Sequence, residues 1–319
     1  MKVRLTHIDG KLPNLALMRL SRAHKAAGDD VFHTRDIMRG LFEPDYDRVY
    51  GSSIFSMSAT RVALLLQEWP DAVIGGTGTS SPLTIEAVAP PHVEGYDYDV
   101  YPDYEYSLGF TQRGCRLKCK FCVVPAKEGK PRSVNTVWDI WRDGSERKLH
   151  LLDNDFFGQE HWRERIAEIR DGGFRVCLNQ GINVRLIDDE AAEALASIEF
   201  RDDQFKRRCL YTAWDNLKDE KIFFRGMDTL ERAGIPGKQV MAYMLVGYDP
   251  AETWERIMHR LDRMVEREIL PYPMVYDPQR RDLKRFQRWV IRRFYEFVPW
   301  EEYSGGIRGP VDADPELAL

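Results

Sequence analysis

The sequence lacks the long apolar segments and the disulfide pattern of membrane and secreted proteins. Residues 1–20 contain no continuous apolar run of signal-peptide length, and the longest aliphatic run near them, residues 62–66, is far shorter than the roughly 18 residues of a membrane span. Cysteine is scarce, because only five occur and three of these lie within eight residues. This distribution excludes a disulfide framework and favours a reducing compartment, so we expect a cytoplasmic protein without a membrane partner.

The chain also lacks a strong excess of charge of either sign. Lysine and arginine together number 46, aspartate and glutamate 51, and the net charge is −5. Any contact with a polyanion must therefore come from a local basic patch. The 319 residues are 43% hydrophobic, which suits a globular chain of about two domains.

The most informative stretch carries the three clustered cysteines. Cys115, Cys119 and Cys122 form a C-x3-C-x2-C pattern. Three thiolates in one short loop suit an iron–sulfur cluster, and three rather than four leave one iron open, as in catalytic metal centres. Two alternatives remain: a zinc site whose fourth ligand is His150 or His161, and unrelated thiols that pack as small apolar groups.

With Phe121 as the aromatic residue before the last cysteine, this segment resembles the cluster loop of the radical S-adenosylmethionine (SAM) superfamily. The resemblance implies a 4Fe–4S cluster on Cys115, Cys119 and Cys122, with SAM chelating the open iron through its amino and carboxylate groups. It implies one-electron cleavage of SAM to methionine and a 5′-deoxyadenosyl radical, which abstracts hydrogen from a small-molecule or nucleotide substrate. An electron donor such as flavodoxin or ferredoxin would then be a partner.

Strand and helix patterns alternate in residues 1–94, which predicts a small Rossmann-like α/β domain with a parallel sheet. Its last strand opens into Gly75 and Gly76, where glycine lets backbone approach a ligand closely. This half resembles the cobalamin-binding-type domain of one radical SAM subfamily. That likeness makes cobalamin a candidate cofactor and a cobalamin-dependent methyltransferase an alternative function. The D-x-H-x-x-G motif of that subfamily is absent, and we favour a lid without cobalamin.

The second half of the chain has strand patterns at the spacing of βα units. They lie at residues 107–111, 149–153, 174–179, 210–215, 240–246 and 269–276. The alternation predicts a partial (β/α)6 barrel of TIM type over residues 107–276, the fold that the resemblance also implies. Residues 95–106 are expected to form a linker rich in tyrosine and aspartate, and residues 277–319 a basic amphipathic helix and tail. The active site of such a barrel lies at the carboxyl ends of its strands.

Polar residues at the ends of the second and third barrel strands are candidates for SAM binding. Asp153, Asn154 and Asp155 replace the Gly-Gly-Glu sequence that holds the SAM amino group in the family, and acceptors of this kind suit an ammonium. Asn179 ends the next strand, and Arg185 follows it. A guanidinium there suits a bidentate pair with the methionine carboxylate.

The later strands supply the remaining candidates. Asp215 and Asn216 are placed to bind the ribose hydroxyls, and Val246 and Gly247 correspond to the family's element near adenine. Strand alternation also directs two reactive side chains into the barrel lumen, Cys177 and Tyr211. A lumen thiol or phenol is suited to hydrogen donation, and the alternative is inert filling of the lumen.

The C-terminal helix predicts a second interaction. Arg281, Arg285, Arg288 and Arg292 form a basic stripe with Trp289 among them, which is typical of phosphate contact. A nucleic-acid-modifying radical SAM enzyme is therefore one alternative function, and a solvated helix face is the simpler interpretation of the stripe. A non-catalytic, zinc-stabilised binding module is the alternative from another functional class.

Overall fold

The computed structural model describes residues 1–81, 83, 85–88 and 95–305, and the chain divides into two compact units. The first unit is Met1–Glu105 and the second begins at Tyr106, so the predicted linker, residues 95–106, lies at this boundary. Among the described residues, no helix has both the length and the apolar character needed to cross a membrane.

The first unit contains a parallel sheet covered by helices. Its described strands are β1 Lys2–His7, β2 Asp30–Thr34, β3 Arg48–Ser52 and β4 Val73–Gly75. Its described helices are α1 Leu15–Ala26, α2 Ala59–Glu68 and α3 Ile85–Val88. The strand order is β2-β1-β3-β4, and each neighbouring pair is parallel. The predicted parallel α/β arrangement of this half is confirmed.

The glycine-rich loop after β4 packs against the chain itself. A Cβ added at Gly76 would lie 2.1 Å from the carbonyl oxygen of Ser53, and one at Gly78 would lie 2.5 Å from the carbonyl carbon of Phe55. The Gly78 amide also donates to the Ser53 carbonyl at 3.0 Å. These glycines are therefore explained by close packing within the first unit, and cobalamin binding there stays a prediction.

The second unit is also mixed α/β. Its described strands are β5 Ser107–Gly109, β6 Gln112–Arg113, β7 Arg132–Ser133, β8 Lys148–Leu151, β9 Arg175–Leu178, β10 Glu199–Phe200, β11 Leu210–Ala213, β12 Val240–Val246 and β13 Leu270–Val275. Its described helices are α4 Val124–Lys127, α5 Val137–Ile140, α6 Trp162–Asp171, α7 Asp189–Ala196, α8 Glu220–Arg232, α9 Trp254–Glu266 and α10 Arg281–Ile291.

The strands of the second unit form two parallel sheets and a short antiparallel pair. The sheet orders are β10-β9-β8-β5 and β11-β12-β13, and β6 pairs antiparallel with β7. The Ile182 amide, in the loop after β9, donates to the Tyr211 carbonyl of β11 at 2.8 Å and so joins the two parallel sheets. Within each parallel sheet the carboxyl ends of the strands lie along one edge, where ligands bind in α/β proteins.

The two faces of these sheets bury different side chains. Val176 and Leu178 belong to the large apolar core, which also contains Trp214 and Phe223. Cys177, which alternates with them on β9, lies in a second buried cluster, whose members are Cys177, Phe205, Tyr211, Met241 and Tyr272. The alternation expected for β9 thus places the thiol on the face opposite the helices.

Close packing of α8 fixes the turn that follows β9. Gly226 is buried in α8, and a Cβ at this position would lie 2.0 Å from the carbonyl oxygen of Val184. Val184 begins the 3-10 turn Val184–Leu186, which contains Arg185. The glycine is thus required by the approach of α8 to this turn.

We expect Gly226→Ala to destabilise the protein by about 1–3 kcal/mol, because the added methyl group has no room. This sign opposes helix propensity, by which alanine is better than glycine in a helix by about 1 kcal/mol. Urea unfolding measures the difference, with Arg225→Ala, an exposed change in the same helix, as the control. Equal or greater stability of Gly226→Ala would contradict the packing described.

Candidate metal centre and cofactor site

The three clustered cysteines lie in a loop whose base is closed by two short strands. Gln112 and Arg113 of β6 pair with Ser133 and Arg132 of β7. Gly114, which precedes Cys115, has φ of +84°, and a Cβ there would lie 2.2 Å from the Lys130 carbonyl oxygen. The Cys115 amide donates to the Gly129 carbonyl at 3.2 Å. The close packing of Gly114 and the hydrogen bond of the Cys115 amide therefore fix the position of Cys115 directly after β6.

Asp153, at the end of β8, binds the base of this loop. Its carboxylate accepts the Thr111 amide at 2.7 Å, the Gln112 amide at 3.0 Å and the Thr111 hydroxyl. Burial raises the pKa of Asp153 to about 7, even though these donors act in the opposite direction. The carboxylate predicted to hold the SAM amino group is thus engaged within the chain.

Asp155 binds the cysteine loop itself. Its carboxylate accepts the Arg116 backbone amide at 3.0 Å and forms a two-point pair with the Arg116 guanidinium, with both contacts at 2.8 Å. The Asp155 side chain is 1% exposed, whereas the Arg116 side chain is 37% exposed, so the carboxylate is shielded from water and the guanidinium only partly. A bidentate arginine–carboxylate pair of this kind fixes orientation as well as distance.

Asn154 connects the same strand end to the far side of the loop. Its Nδ2 donates to Glu128 Oε2 at 3.1 Å, and the same oxygen accepts the Gly114 amide at 3.0 Å. The other carboxylate oxygen of Glu128 pairs with Arg113 at 2.8 Å. All three residues of the Asp-Asn-Asp sequence therefore hold the cysteine loop.

Gln112 completes this network and was missed by sequence reasoning. Its side chain is fully buried, its Nε2 donates to the carbonyls of Arg113 and Gly114 at 2.8 and 2.7 Å, and its Oε1 accepts the Asp155 amide at 3.1 Å. Glu128 was missed as well. Both precede or follow the motif by a few residues, but nothing in an isolated sequence distinguishes them from ordinary polar loop residues.

The three thiols are partly exposed and electrostatically coupled. Burial raises the pKa of Cys115, and the nearby Asp155, Cys119 and Cys122 raise it further, whereas the Leu117 amide, 3.4 Å from Cys115 Sγ, lowers it. Burial likewise raises the pKa of Cys122, and the Val124 amide lowers it. Thiols with raised pKa values are protonated until a metal binds, and iron binding then displaces the protons. The amide donors stabilise the thiolates that result.

The described residues contain no group of three or more His, Cys, Asp or Glu side chains arranged around one metal ion. A single zinc ion needs ligands at about 2.0–2.3 Å from one point, whereas each thiolate of a cluster binds a different iron. His150 is buried and its Nε2 lies 2.8 Å from the Asp203 carbonyl. His161 contacts Glu160 and Glu164. The histidines considered as a fourth zinc ligand thus have other partners.

An aromatic contact joins the cysteine loop to the end of β12. The Phe121 ring lies 5.4 Å from that of Tyr248, centroid to centroid, and Tyr248 lies 4.9 Å from Tyr276. The Gly247 amide donates to Glu252 at 2.7 Å, and the Val246 side chain is fully buried in the core. The element predicted to lie near adenine is therefore adjacent to the cysteine loop.

A pocket of about 320 Å³ opens at the ends of β11 and β12. Its lining residues are Asp215, Asn216, Leu217, Lys218, Asp249, Glu252, Arg256 and Arg260. Burial raises the pKa of the Asp215 carboxyl, one oxygen of which accepts the Leu245 amide at 3.1 Å. Asp215 also contributes to the raised pKa of Cys122, which places this pocket within electrostatic reach of the cysteine loop. Asn216 Oδ1 accepts the Lys218 amide at 3.0 Å.

Arg260 links the strands behind this pocket. The guanidinium is 1% exposed and donates to the carbonyls of Trp214 and Leu245, at 3.1 and 3.0 Å, and to Glu252. Burial lowers its pKa, and Glu252 opposes this effect. The sequence carries a signal for this residue, because Arg260 falls on the apolar stripe of α9, between Ile257 and Leu261.

Four other predicted residues have partners within the chain. Arg185 pairs with Asp219 at 2.7 Å, so its guanidinium has a carboxylate partner within the chain. Asn179 Oδ1 accepts from Gln180 at 2.9 Å. Cys177 lies in the buried cluster with Tyr211, and the Tyr211 hydroxyl accepts the Asp203 amide at 3.1 Å. Burial raises the pKa of both Cys177 and Tyr211, so both stay protonated.

The sequence was compared with models of known protein families and with curated proteins. Neither comparison gave a match. The site is therefore interpreted from its own geometry and chemistry.

We expect Asp155→Asn to loosen the cysteine loop, because the amide cannot accept both arms of the Arg116 guanidinium. The local cost is about 1–3 kcal/mol, because the Arg116 charge that is left is 37% exposed and water solvates it. Hydrogen exchange at residues 113–123 measures the change. The matched control is Glu190→Gln, which breaks a bidentate pair with Arg163 in which Glu190 is 56% exposed. Unchanged protection of residues 113–123 in Asp155→Asn would refute the assigned role.

Asp153 predicts a pH dependence of stability. Its folded-state pKa of about 7 lies above the ordinary value of 3.8, so the folded protein binds the proton more tightly than the unfolded chain. Stability from this group is present below pH 4 and falls as pH rises to about 7, by on the order of 1 kcal/mol per pH unit. Asp153→Asn should remove this component. Unfolding free energies of both proteins at pH 4–8 test it, and an unchanged difference across that range would contradict the prediction.

Proposed function

We propose that this protein is a radical SAM enzyme in which Cys115, Cys119 and Cys122 hold a 4Fe–4S cluster. The observation that carries the proposal is the loop itself, in which three partly exposed thiols lie above a base bound by buried carboxylates at the carboxyl end of β8. In this proposal, β5, β8, β9, β11, β12 and β13 form the strands of a partial (β/α)6 barrel.

A bound cluster would supply the one electron needed to break the sulfonium–C5′ bond of SAM, which would yield methionine and a 5′-deoxyadenosyl radical able to take hydrogen from the substrate. The chain's own residues position the reactants. The Leu117 amide stabilises negative charge on Cys115 Sγ, and the Asp155–Arg116 pair holds the loop in place. This division of roles leaves the redox chemistry to the cofactors.

The SAM-binding residues are assigned with one change from the sequence expectation. Because both carboxylates of the Asp-Asn-Asp sequence bind the chain itself, we assign the amino group of SAM to Asn154, whose Oδ1 has no hydrogen-bond partner among the described residues. The pocket of Asp215 and Asn216 takes the ribose hydroxyls, because a partly buried carboxyl and an amide are suitable partners for a diol. Asp219 competes with the methionine carboxylate for the guanidinium of Arg185.

Cys177 and Tyr211 are assigned as hydrogen-atom donors rather than bases or nucleophiles. A reactive thiolate needs a lowered pKa, and burial acts in the opposite direction on both groups. The five cysteines are free thiols, which suits the reducing, cytoplasmic setting that we infer. A flavodoxin or ferredoxin is the proposed electron donor.

Anaerobic reconstitution tests the proposal. The wild-type protein is expected to bind about four iron and four sulfide per chain and to release 5′-deoxyadenosine from SAM with dithionite. Cys119→Ala should lose the cluster and the activity, whereas Cys209→Ala, a change at a cysteine outside the loop, should keep the cluster. Stoichiometric zinc without iron, or a full cluster in Cys119→Ala, would disprove the assignment.

A further inference from the structure

Helix α10 presents a row of cations to solvent. Its buried face consists of Leu283, Phe286, Trp289 and Val290. On the other side lie the residues that we call the basic stripe, Arg281, Lys284, Arg285, Arg288 and Arg292, which are exposed apart from the half-buried Arg292. The four arginines recur every three or four positions and so give about one guanidinium per helical turn, a rise of roughly 5.4 Å, and Lys284 lies beside Arg285.

The basic stripe is not neutralised by carboxylates within the described part of the chain. None of the ion pairs among the described residues involves its five members, whereas the neighbouring Arg280 pairs with Asp282 and Arg293 pairs with Glu296. Arg285 lies over the Trp300 ring at 4.4 Å, and Arg288 donates to the Gly305 carbonyl. In a chain of net charge −5, this is a local positive surface.

The aromatic residue predicted to lie in the stripe is elsewhere. Trp289 is 3% exposed and its Nε1 donates to the Val298 carbonyl at 2.9 Å, so the expectation that it accompanies the arginines is wrong. The helical period places it on the apolar face. Accessible rings near the start of α10 belong to the aromatic line, which we define as Phe121, Tyr248 and Tyr276. Tyr276 is 53% exposed.

The basic stripe and the aromatic line meet at the ends of β12 and β13. Tyr276 precedes Arg281 by five residues, and its amide donates to the Val246 carbonyl at 3.0 Å. Leu283 of α10 packs at the Gly247 position, directly before Tyr248, and Gln287 donates to the Pro273 carbonyl at 2.8 Å. The rings thus lead from the start of the cationic helix to Phe121 in the cysteine loop.

The geometry points to a single-stranded polynucleotide as the substrate class, an inference that rests on the proposed function. The basic stripe binds successive phosphates, and Tyr276 stacks on an unpaired base and directs the strand toward the cysteine loop. Cationic surfaces combined with exposed rings are how proteins bind single strands without reading sequence. A duplex hides its base faces, and an acidic protein partner uses the cations but has no base to stack on Tyr276.

Binding is tested with the reconstituted full chain and a fluorescein-labelled 20-nucleotide oligouridylate, by fluorescence anisotropy from 50 to 300 mM salt. The double variant Arg281→Gln/Arg292→Gln should weaken binding and reduce the slope of log K against log salt by about 1.4, because two phosphate contacts are lost. The control Arg280→Gln/Arg293→Gln removes the same charge from ion-paired positions and should bind as the wild type does.

Stacking is tested at Tyr276. Tyr276→Ala should weaken oligouridylate binding at least about fivefold, and Tyr276→Phe should restore it. A fully paired RNA duplex of the same length should bind more weakly than the single strand and should be insensitive to Tyr276→Ala.

The inference fails if no binding is measurable at 50 mM salt, or if both double variants weaken binding equally. It also fails if the stripe variant loses only the interaction with an acidic electron donor such as flavodoxin. Iron content and SAM cleavage are measured in the same samples. If the protein cleaves SAM but does not bind RNA, only this inference is wrong. If it binds RNA but holds no iron, the proposed function is wrong.

Discussion

Two buried carboxylates at the end of one strand hold the cysteine loop to the sheet. Asp153 accepts two backbone amides at the base of the loop, and Asp155 takes both an amide and the guanidinium of Arg116 within the motif. Charges out of water are costly unless each is matched by donors. Every donor to these carboxylates comes from the cysteine loop or its base. The hydrogen bonds that compensate the buried carboxylates therefore also hold the loop in one position.

The parallel topology brings other polar segments close to the cysteine loop. Carboxyl ends of successive strands share an edge, so the loop after β6, the Asp-Asn-Asp sequence after β8 and the pocket after β11 and β12 come together although they are far apart in sequence. The contact between Phe121 and Tyr248 and the electrostatic coupling of Cys122 with Asp215 show the same proximity. Arg260 stiffens this edge by binding the carbonyls that end two strands.

Much of the fold follows from local sequence. Hydrophobic alternation and glycine stops predict the parallel α/β character, and the predicted strand over residues 240–246 has the bounds of β12. Short elements such as β6, β7 and β10, with two residues each, carry no periodicity from which to predict them. The stripe on α10 is visible as a helical period, but the burial of Trp289 depends on which face meets β13.

The spacing of the three cysteines predicts metal ligands, and that assignment stays a prediction. The residues that support the cysteine loop were harder to predict. The bonds of Gln112, Glu128 and Arg116 depend on long-range pairing with residues 153–155, which a single sequence does not encode locally. The bonds of Asp153 and Asp155 to the loop were missed for the same reason, since a carboxylate after a strand has the same sequence appearance whether its partner is a ligand or a loop.

The central claim, an open iron in a cluster held by this loop, is tested most directly by electron paramagnetic resonance of the reduced, reconstituted protein before and after addition of SAM. The account predicts a signal from a reduced 4Fe–4S cluster whose g-values change when SAM binds to the open iron. A spectrum that is identical with and without SAM, from a protein that retains its iron and sulfide, would contradict it.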